Sequence, residues 1–208
     1  MSRLFSIFYD RIMRETEKAC LREWRQALLA DCRGRVLEIG AGTGASLEFY
    51  PPHLDELLVC EPDPGMRALL TQRVDNATLP FTASVADFAG ERLEVGDESM
   101  DAVVSSLVLC SVQHQRGTLH EIYRVLKPGG QLFFLEHVAA EAGSSRHRWQ
   151  RWIEPVWKRL AGNCHLTRCT EQAMIEAGFE IAQVERQSLR KVPAVVRPSI
   201  RGVARKPA

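Results

Sequence analysis

Residues Val36-Leu37-Glu38-Ile39 run directly into Gly40-Ala41-Gly42-Thr43-Gly44. An apolar stretch carrying one acid is thus followed by three glycines in alternate positions. That junction constrains the fold more than any other segment. Glycine has no Cβ and reaches positive φ freely, so such a turn brings bare main chain against a ligand. A strand that ends this way is the expected opening of a nucleoside-binding α/β unit. Downstream, apolar runs keep alternating with amphipathic stretches, the pattern of a parallel sheet wound with helices on both faces.

Strands are expected at 36–39, 56–60, 81–85, 101–109, 131–138, 179–185 and 200–204. The connectors read as helices. One covers 45–50 and ends at Pro51-Pro52; another covers 64–71 and opens on a proline, whose missing N–H costs nothing there. A third, 117–126, stops at Lys127-Pro128-Gly129-Gly130, and a fourth, 170–177, opens at Thr170-Glu171 and closes at Gly178.

Two further helices stand outside the alternation. Phe5, Phe8, Tyr9, Ile12 and Met13 recur at helical spacing, as do Trp149, Trp152, Ile153, Val156, Trp157 and Leu160. Each has one apolar face, which either packs on the sheet or covers a substrate pocket. Pro155 is expected to break the second helix into two turns.

The chain of 208 residues, 45% hydrophobic and 25% charged, is sized for one domain with a sizeable core. The expected division is an N-terminal cap over 1–30, a cofactor-binding core over 31–140 and a substrate-side cap with the last strands over 141–208. A formal charge of +1 gives no reason to expect a nucleic-acid partner. No stretch approaches the roughly 20 apolar residues of a bilayer span, and the charged N-terminus does not read as a secretory signal. The six cysteines are scattered without a CxxC, which points to reduced thiols and a cytoplasmic protein. Cys164, His165 and Cys169 lie close in sequence, but their spacing fits no common zinc pattern, and no metal is expected.

Taken alone, Gly40-x-Gly42-x-x-Ala45 also fits the dinucleotide fingerprint, so a nicotinamide or flavin enzyme stays open at this point. Glu61 ends the second strand, where its carboxylate could accept both hydroxyls of an adenosine ribose. The separation comes from four ordered pieces. These are Glu38-x-Gly40-x-Gly42-x-Gly44, Cys60-Glu61-Pro62-Asp63, Asp97-x-Ser99-x-Asp101, and Leu126-Lys127-Pro128-Gly129-Gly130 with Gln131-Leu132-Phe133-Phe134-Leu135. Together they resemble the class I S-adenosylmethionine-dependent methyltransferases, with quinone C-methyltransferases sharing much of the core. The resemblance implies a seven-stranded, mostly parallel, doubly wound sheet with an antiparallel last strand. It implies S-adenosyl-L-methionine as cofactor, held by Glu38, Gly40, Ala41, Gly42, Gly44, Glu61, Pro62, Asp87 and Leu107. In that family an acid after the third strand faces the adenine amine; Ala89 stands at the expected place here, and Asp87 is the nearest substitute.

Four shorter segments narrow the likeness: 107–112, 134–138, 163–168 and 196–202. They resemble the methyltransferase-like alkyl-thiol S-methyltransferases. That group carries an apolar N-terminal membrane anchor which these opening residues do not match, so membrane attachment is not carried over. The resemblance implies methyl transfer to a small, partly apolar acceptor, a thiol first and a quinone precursor or lipid head group second. A non-catalytic cofactor-binding regulator is a third reading. His137, at the end of the fifth strand, is placed to act as base. Tyr9, Cys110, Trp152, His165 and Arg168 are the expected substrate contacts, with Cys110 packing rather than attacking.

Overall fold

The structure is a computed structural model that describes residues 13–208. The apolar helix expected over residues 5–13, Tyr9 with it, falls almost wholly outside the described residues. In chain order the strands are β1 Gly34–Ile39, β2 Leu54–Cys60, β3 Thr82–Ala86, β4 Met100–Ser106, β5 Leu126–His137, β6 Glu180–Ser188 and β7 Pro198–Arg205. The helices are α1 Arg22–Leu29, α2 Pro64–Asn76, α3 Gln115–Val125, α4 Ser145–Leu160 and α5 Thr170–Glu176. A π-helical turn, Glu17–Leu21, precedes α1.

One seven-stranded sheet runs β3-β2-β1-β4-β5-β7-β6. The first five strands pair in parallel, and β7 enters antiparallel between β5 and β6. This is the doubly wound sheet with a reversed last hairpin that the motifs implied. The order reverses at β1 and β4, so a crevice opens at the carboxyl ends of those strands.

Burial explains why the strands read as unbroken apolar runs. Leu37, Ile39, Val103, Leu132 and Phe134 pack on one side against Leu119, Ile122 and Val125 of α3 and Met174 of α5. Their sequence neighbours Val36, Ala102, Val104 and Phe133 pack on the other side with Leu29 of α1 and Leu70 of α2. A sheet covered on both faces needs no polar alternation.

Several boundaries differ from expectation. The helix expected over 45–50 is only a 3-10 turn, Leu47–Phe49, because Ser46 and Tyr50 turn inward to Glu38. The strand expected through 109 stops at Ser106, since Leu107 takes φ 61° and turns the chain. Helix α3 does stop ahead of Lys127-Pro128-Gly129-Gly130, at Val125, but strand β5 begins at once, five residues early, with those four residues bulging between the pairs Met100–Leu126 and Ala102–Gln131. Helix α5 starts without a side-chain cap, because Thr170 is buried and accepts from Gln115 Nε2 at 3.1 Å. Gly178, with φ 97°, does close it. Helix α4 runs through Pro155 unbroken.

Helix α4 also overturns the expectation of an apolar face packed on the sheet. Trp152 is 74% exposed and Leu160 72%, with Val156 and Trp149 exposed beside them. Polar residues dock the helix instead. The fully buried Gln150 accepts from Ala140 N at 2.7 Å and donates to Val195 O at 2.8 Å. Glu154 accepts from Thr167 N at 2.8 Å and from its Oγ1 at 2.6 Å.

Candidate active site

At the end of β1 the chain passes through three left-handed glycines, Gly40 (φ 55°), Gly42 (φ 59°) and Gly44 (φ 89°). Their surroundings differ. A Cβ on Gly40 would collide with Val108, and one on Gly44 with Leu47 and Leu70. A Cβ on Gly42 would meet nothing within 4 Å. Gly42 therefore faces open space, while its neighbours are glycine to let the walls close.

Two carboxylates hold this turn. Glu38 is buried and accepts from Ser46 Oγ at 2.7 Å and Tyr50 OH at 2.9 Å. Burial raises its carboxyl above the ordinary range, and those two donors partly offset the rise. It fixes the turn from beneath. Glu61, just past β2, accepts from Gly42 N and Asp63 N, each at 2.9 Å. Burial raises Glu61 as well, against the lowering effect of the two N–H donors. Each of its oxygens takes one N–H and keeps a lone pair for a hydroxyl. Ala41 N bonds Cys60 O at 3.0 Å, which joins the β1 and β2 loops into one rim. Pro62 and Asp87 are exposed, at the ends of β2 and β3. A bare-backbone cradle, open at Gly42 and flanked by an acid at hydroxyl-binding reach, fits an adenosyl cofactor.

The second half of the site follows β4. Leu107 N donates to Leu135 O at 2.7 Å and holds the left-handed turn. The fully buried Glu136 gathers the loop beyond it, accepting from Ser105 Oγ at 2.7 Å, Val108 N at 3.1 Å and Cys110 N at 3.3 Å. Burial pushes this carboxyl up to about 7 despite those donors. From the other side, the segment after α4 clamps the same loop. His165 N donates to Cys110 O at 2.8 Å, and Asn163 Nδ2 to Ser111 O at 2.8 Å. The Arg168 guanidinium donates to Leu109 O and Val112 O, both at 2.6 Å.

The clamp brings Cys110, His137 and Cys164 together, with one donor atom from each within 4.8 Å of the others. His137 Nδ1 lies 4.0 Å from Cys164 Sγ. Cys110 and His137 are buried and Cys164 is half-buried. A hydrogen bond from Cys110 and the neighbouring His137 hold the Cys164 thiol well below its ordinary range, and that bond together with burial drives Cys110 up. His137 Nε2 is buried and has no hydrogen-bond partner among the described residues. Two thiols and an imidazole also form a soft donor set able to take a thiophilic metal ion.

Of the expected substrate contacts, Cys110 joins His137. His165 and Arg168 act as clamps, with His165 Nδ1 3.7 Å from Glu154. Burial, and then the Arg168 charge, lower the His165 imidazole. Trp152 must be corrected, since it points out of the molecule. Trp157, on the inward side of the same helix, is the tryptophan beside Cys164. The sequence reading also missed Glu136 as the organiser of the loop and Cys164 as the partner of His137. A lone acid in the apolar run Leu132-Phe133-Phe134-Leu135-Glu136 was the available signal for the first.

A methyltransferase domain is what this sheet order and crevice define. Residues 37–134 match the family model described as a methyltransferase domain, and residues 91–208 match that described as Anamorsin, N-terminal. The chain is 44% identical over 153 residues to thiol S-methyltransferase TMT1B of Rattus norvegicus, covering 73% of this chain and 62% of the relative. It is 35% identical over 202 residues to thiol S-methyltransferase TMT1A of Homo sapiens, covering 96% of this chain and 82% of the relative. The chain thus spans about three-fifths of the rat protein and four-fifths of the human one. It belongs to the family of these S-adenosylmethionine-dependent thiol S-methyltransferases. More distant relatives are named demethylmenaquinone methyltransferase and phosphatidylethanolamine N-methyltransferase. A solved methyltransferase of Thermotoga maritima, described as a possible histamine N-methyltransferase, superposes with a TM-score of 0.67 at 22% identity, over 99% of this chain and 97% of that one. At that identity the likeness shows the fold alone.

Proposed function

We propose that this protein transfers a methyl group to the sulfur of a small, partly apolar thiol. The observation that carries the reading is the Cys110–His137–Cys164 trio, held at the carboxyl ends of β4 and β5 beside the glycine crevice. The names of the relatives support it.

Gly40, Ala41, Gly42, Gly44, Glu38, Glu61, Pro62, Asp87 and Leu107 form the cradle for the cofactor, with Glu61 on the ribose hydroxyls. When bound, S-adenosylmethionine supplies a methyl carbon made electrophilic by its sulfonium. The remaining task is to place a thiolate in line with that carbon, and placement is where most of the rate comes from. An ordinary thiol, with a pKa of about 8.5, is mostly protonated at neutral pH. His137 Nε2, free of protein partners among the described residues, takes the acceptor proton. Cys164 Sγ, 4.0 Å from Nδ1 and with its thiol lowered below the ordinary range, orients the ring and stabilises the imidazolium that forms, the role an acid plays in a hydrolase triad. Arg168 and Glu136 hold the loop that carries Cys110. No described helix is long and apolar enough to cross a membrane; a cytoplasmic location is part of this proposal, as is a small molecule rather than a nucleic acid as partner.

The distant quinone and lipid relatives favour a second acceptor class, carbon or nitrogen. A panel of aliphatic thiols, quinols and amines, with product mass as readout, separates the two. Turnover confined to thiols and lost in His137→Gln supports the proposal; turnover only with quinols or amines overturns it. Binding of S-adenosylhomocysteine with no turnover on any acceptor makes the protein a regulator.

A further inference from the structure

We propose that the outer face of α4 docks on an anionic lipid bilayer. A helix at the surface of a water-soluble domain turns its apolar stripe inward. Helix α4 does the reverse, with Gln150 and Glu154 inward and Trp149, Trp152, Val156 and Leu160 outward. At 100° per residue these four apolar positions span about 80° of arc, one continuous stripe. Trp149 and Trp152 stack edge to face, with centroids 5.4 Å apart, so the exposed apolar surface is one patch rather than scattered side chains.

Charge selects the partner. Arg148 and Arg159 border the stripe on one edge and Arg146 on the other, all exposed, with Arg151 and Lys158 further round. The single carboxylate within α4, Glu154, is turned into the protein toward Thr167 and His165. The outward surface of the helix therefore presents tryptophan and aliphatic groups edged by cations alone. An uncharged apolar protein groove would offer no reason for that one-sided charge. Phosphate head groups above hydrocarbon do: tryptophans settle at the head-group level, and arginines reach up from the rim to the phosphates. This is attachment by a helix lying on the surface, distinct from the N-terminal anchoring weighed for the relatives. Trp157 on the inward side of α4 lies beside Cys164, so a docked helix sets the trio near the bilayer, where apolar acceptors concentrate.

The proposal is read without turnover and does not depend on which acceptor is methylated. The full chain is sedimented with phosphatidylcholine vesicles containing about a third phosphatidylserine, and with phosphatidylcholine alone. Binding to the mixed vesicles is expected, with a blue shift of tryptophan emission and at least ten-fold weaker partition onto the neutral ones. Trp149→Ser with Leu160→Ser, and separately Arg146→Gln with Arg159→Gln, each lower the partition at least ten-fold. Both double variants keep wild-type affinity for S-adenosylhomocysteine in calorimetry, which shows that they fold. Absence of vesicle binding overturns the proposal. So does binding untouched by these variants, which places the contact elsewhere, for instance in residues 1–12. Concentration-dependent self-association that the same variants abolish assigns the face to a second copy and also overturns it.

Discussion

The glycine crevice and the Cys110–His137–Cys164 trio lie at the same end of one sheet and are built by different means. The crevice is made of main chain. Its walls come from β1 and β2, adjacent in sequence and in space, and its acids serve mainly to pin N–H groups and hydroxyls of the turn. The trio is made of side chains. Its members come from three separate segments, and a buried carboxylate, an arginine and two loops are needed to assemble it. The difference teaches that the half of the site proposed to hold the cofactor is local and backbone-made. The half proposed to meet the acceptor is assembled over long range and depends on side-chain support. The two halves should therefore fail differently.

The largest effect is expected at Gly42. Its Cβ direction is open, so Gly42→Val carries only the φ penalty, about 1–2 kcal/mol. Its side chain fills the space left for the cofactor. Binding of S-adenosylhomocysteine, measured by calorimetry, should fall more than about 100-fold while the protein stays folded; unaltered binding would place the cofactor elsewhere. Glu61→Gln comes next. The amide turns a donor toward Gly42 N or Asp63 N, and leaving such a group unsatisfied costs about 1–3 kcal/mol. That cost falls on stability; losing the charged acceptor proposed for the ribose hydroxyls, worth about 1.5–3 kcal/mol, lowers cofactor affinity roughly 10- to 100-fold, with the acceptor KM little changed.

At the other half, Glu136→Gln breaks the loop clamp without touching the crevice, and should raise the acceptor KM about 5- to 20-fold while cofactor binding holds. A parallel loss of cofactor affinity would erase the division drawn above. The same variant checks the electrostatics. The folded state holds a proton on Glu136 up to about pH 7, whereas the unfolded chain loses it near 4.3. Between those values the unfolded state binds fewer protons, so this group makes stability fall as pH rises. Denaturant midpoints of wild type should decline more steeply across pH 4.5–7 than those of Glu136→Gln.

The smallest effect concerns Cys164. In a Cys169→Ser background, alkylation of Cys164 should change only a few-fold between pH 8 and pH 6, because its thiol is depressed. A free thiol of pKa about 8.5 slows nearly 100-fold over the same range. A full 100-fold slowing of Cys164 would remove the partner that orients His137.

Much of this site was legible before folding, but unevenly. The left-handed turn at Gly40, Gly42 and Gly44, with Glu61 beside it, could be read because a bare-backbone turn leaves a mark on every residue it uses. Cys164 could not be paired with His137, since 27 residues and a helix separate them and no spacing rule links a loop to a strand end. The strand expected over 101–109 shows the same limit. Leu107-Val108-Leu109 is as apolar as the strand before it, yet Glu136 captures the N–H groups of Val108 and Cys110 and bends the chain away. Helix α4 misled for the opposite reason. Its periodicity was correct, but periodicity says only that a face is apolar and leaves open which way it points.

The amino-acid order by itself determined the parallel α/β sheet, the crevice after β1 and the acid that closes it, because those features rest on steric freedom and on contacts between neighbours in sequence. Tertiary structure alone decided which cysteine meets the histidine and which side of α4 faces out. Both depend on where distant segments come to rest, and that is set by the burial of Glu136 and Gln150 with their hydrogen bonds satisfied.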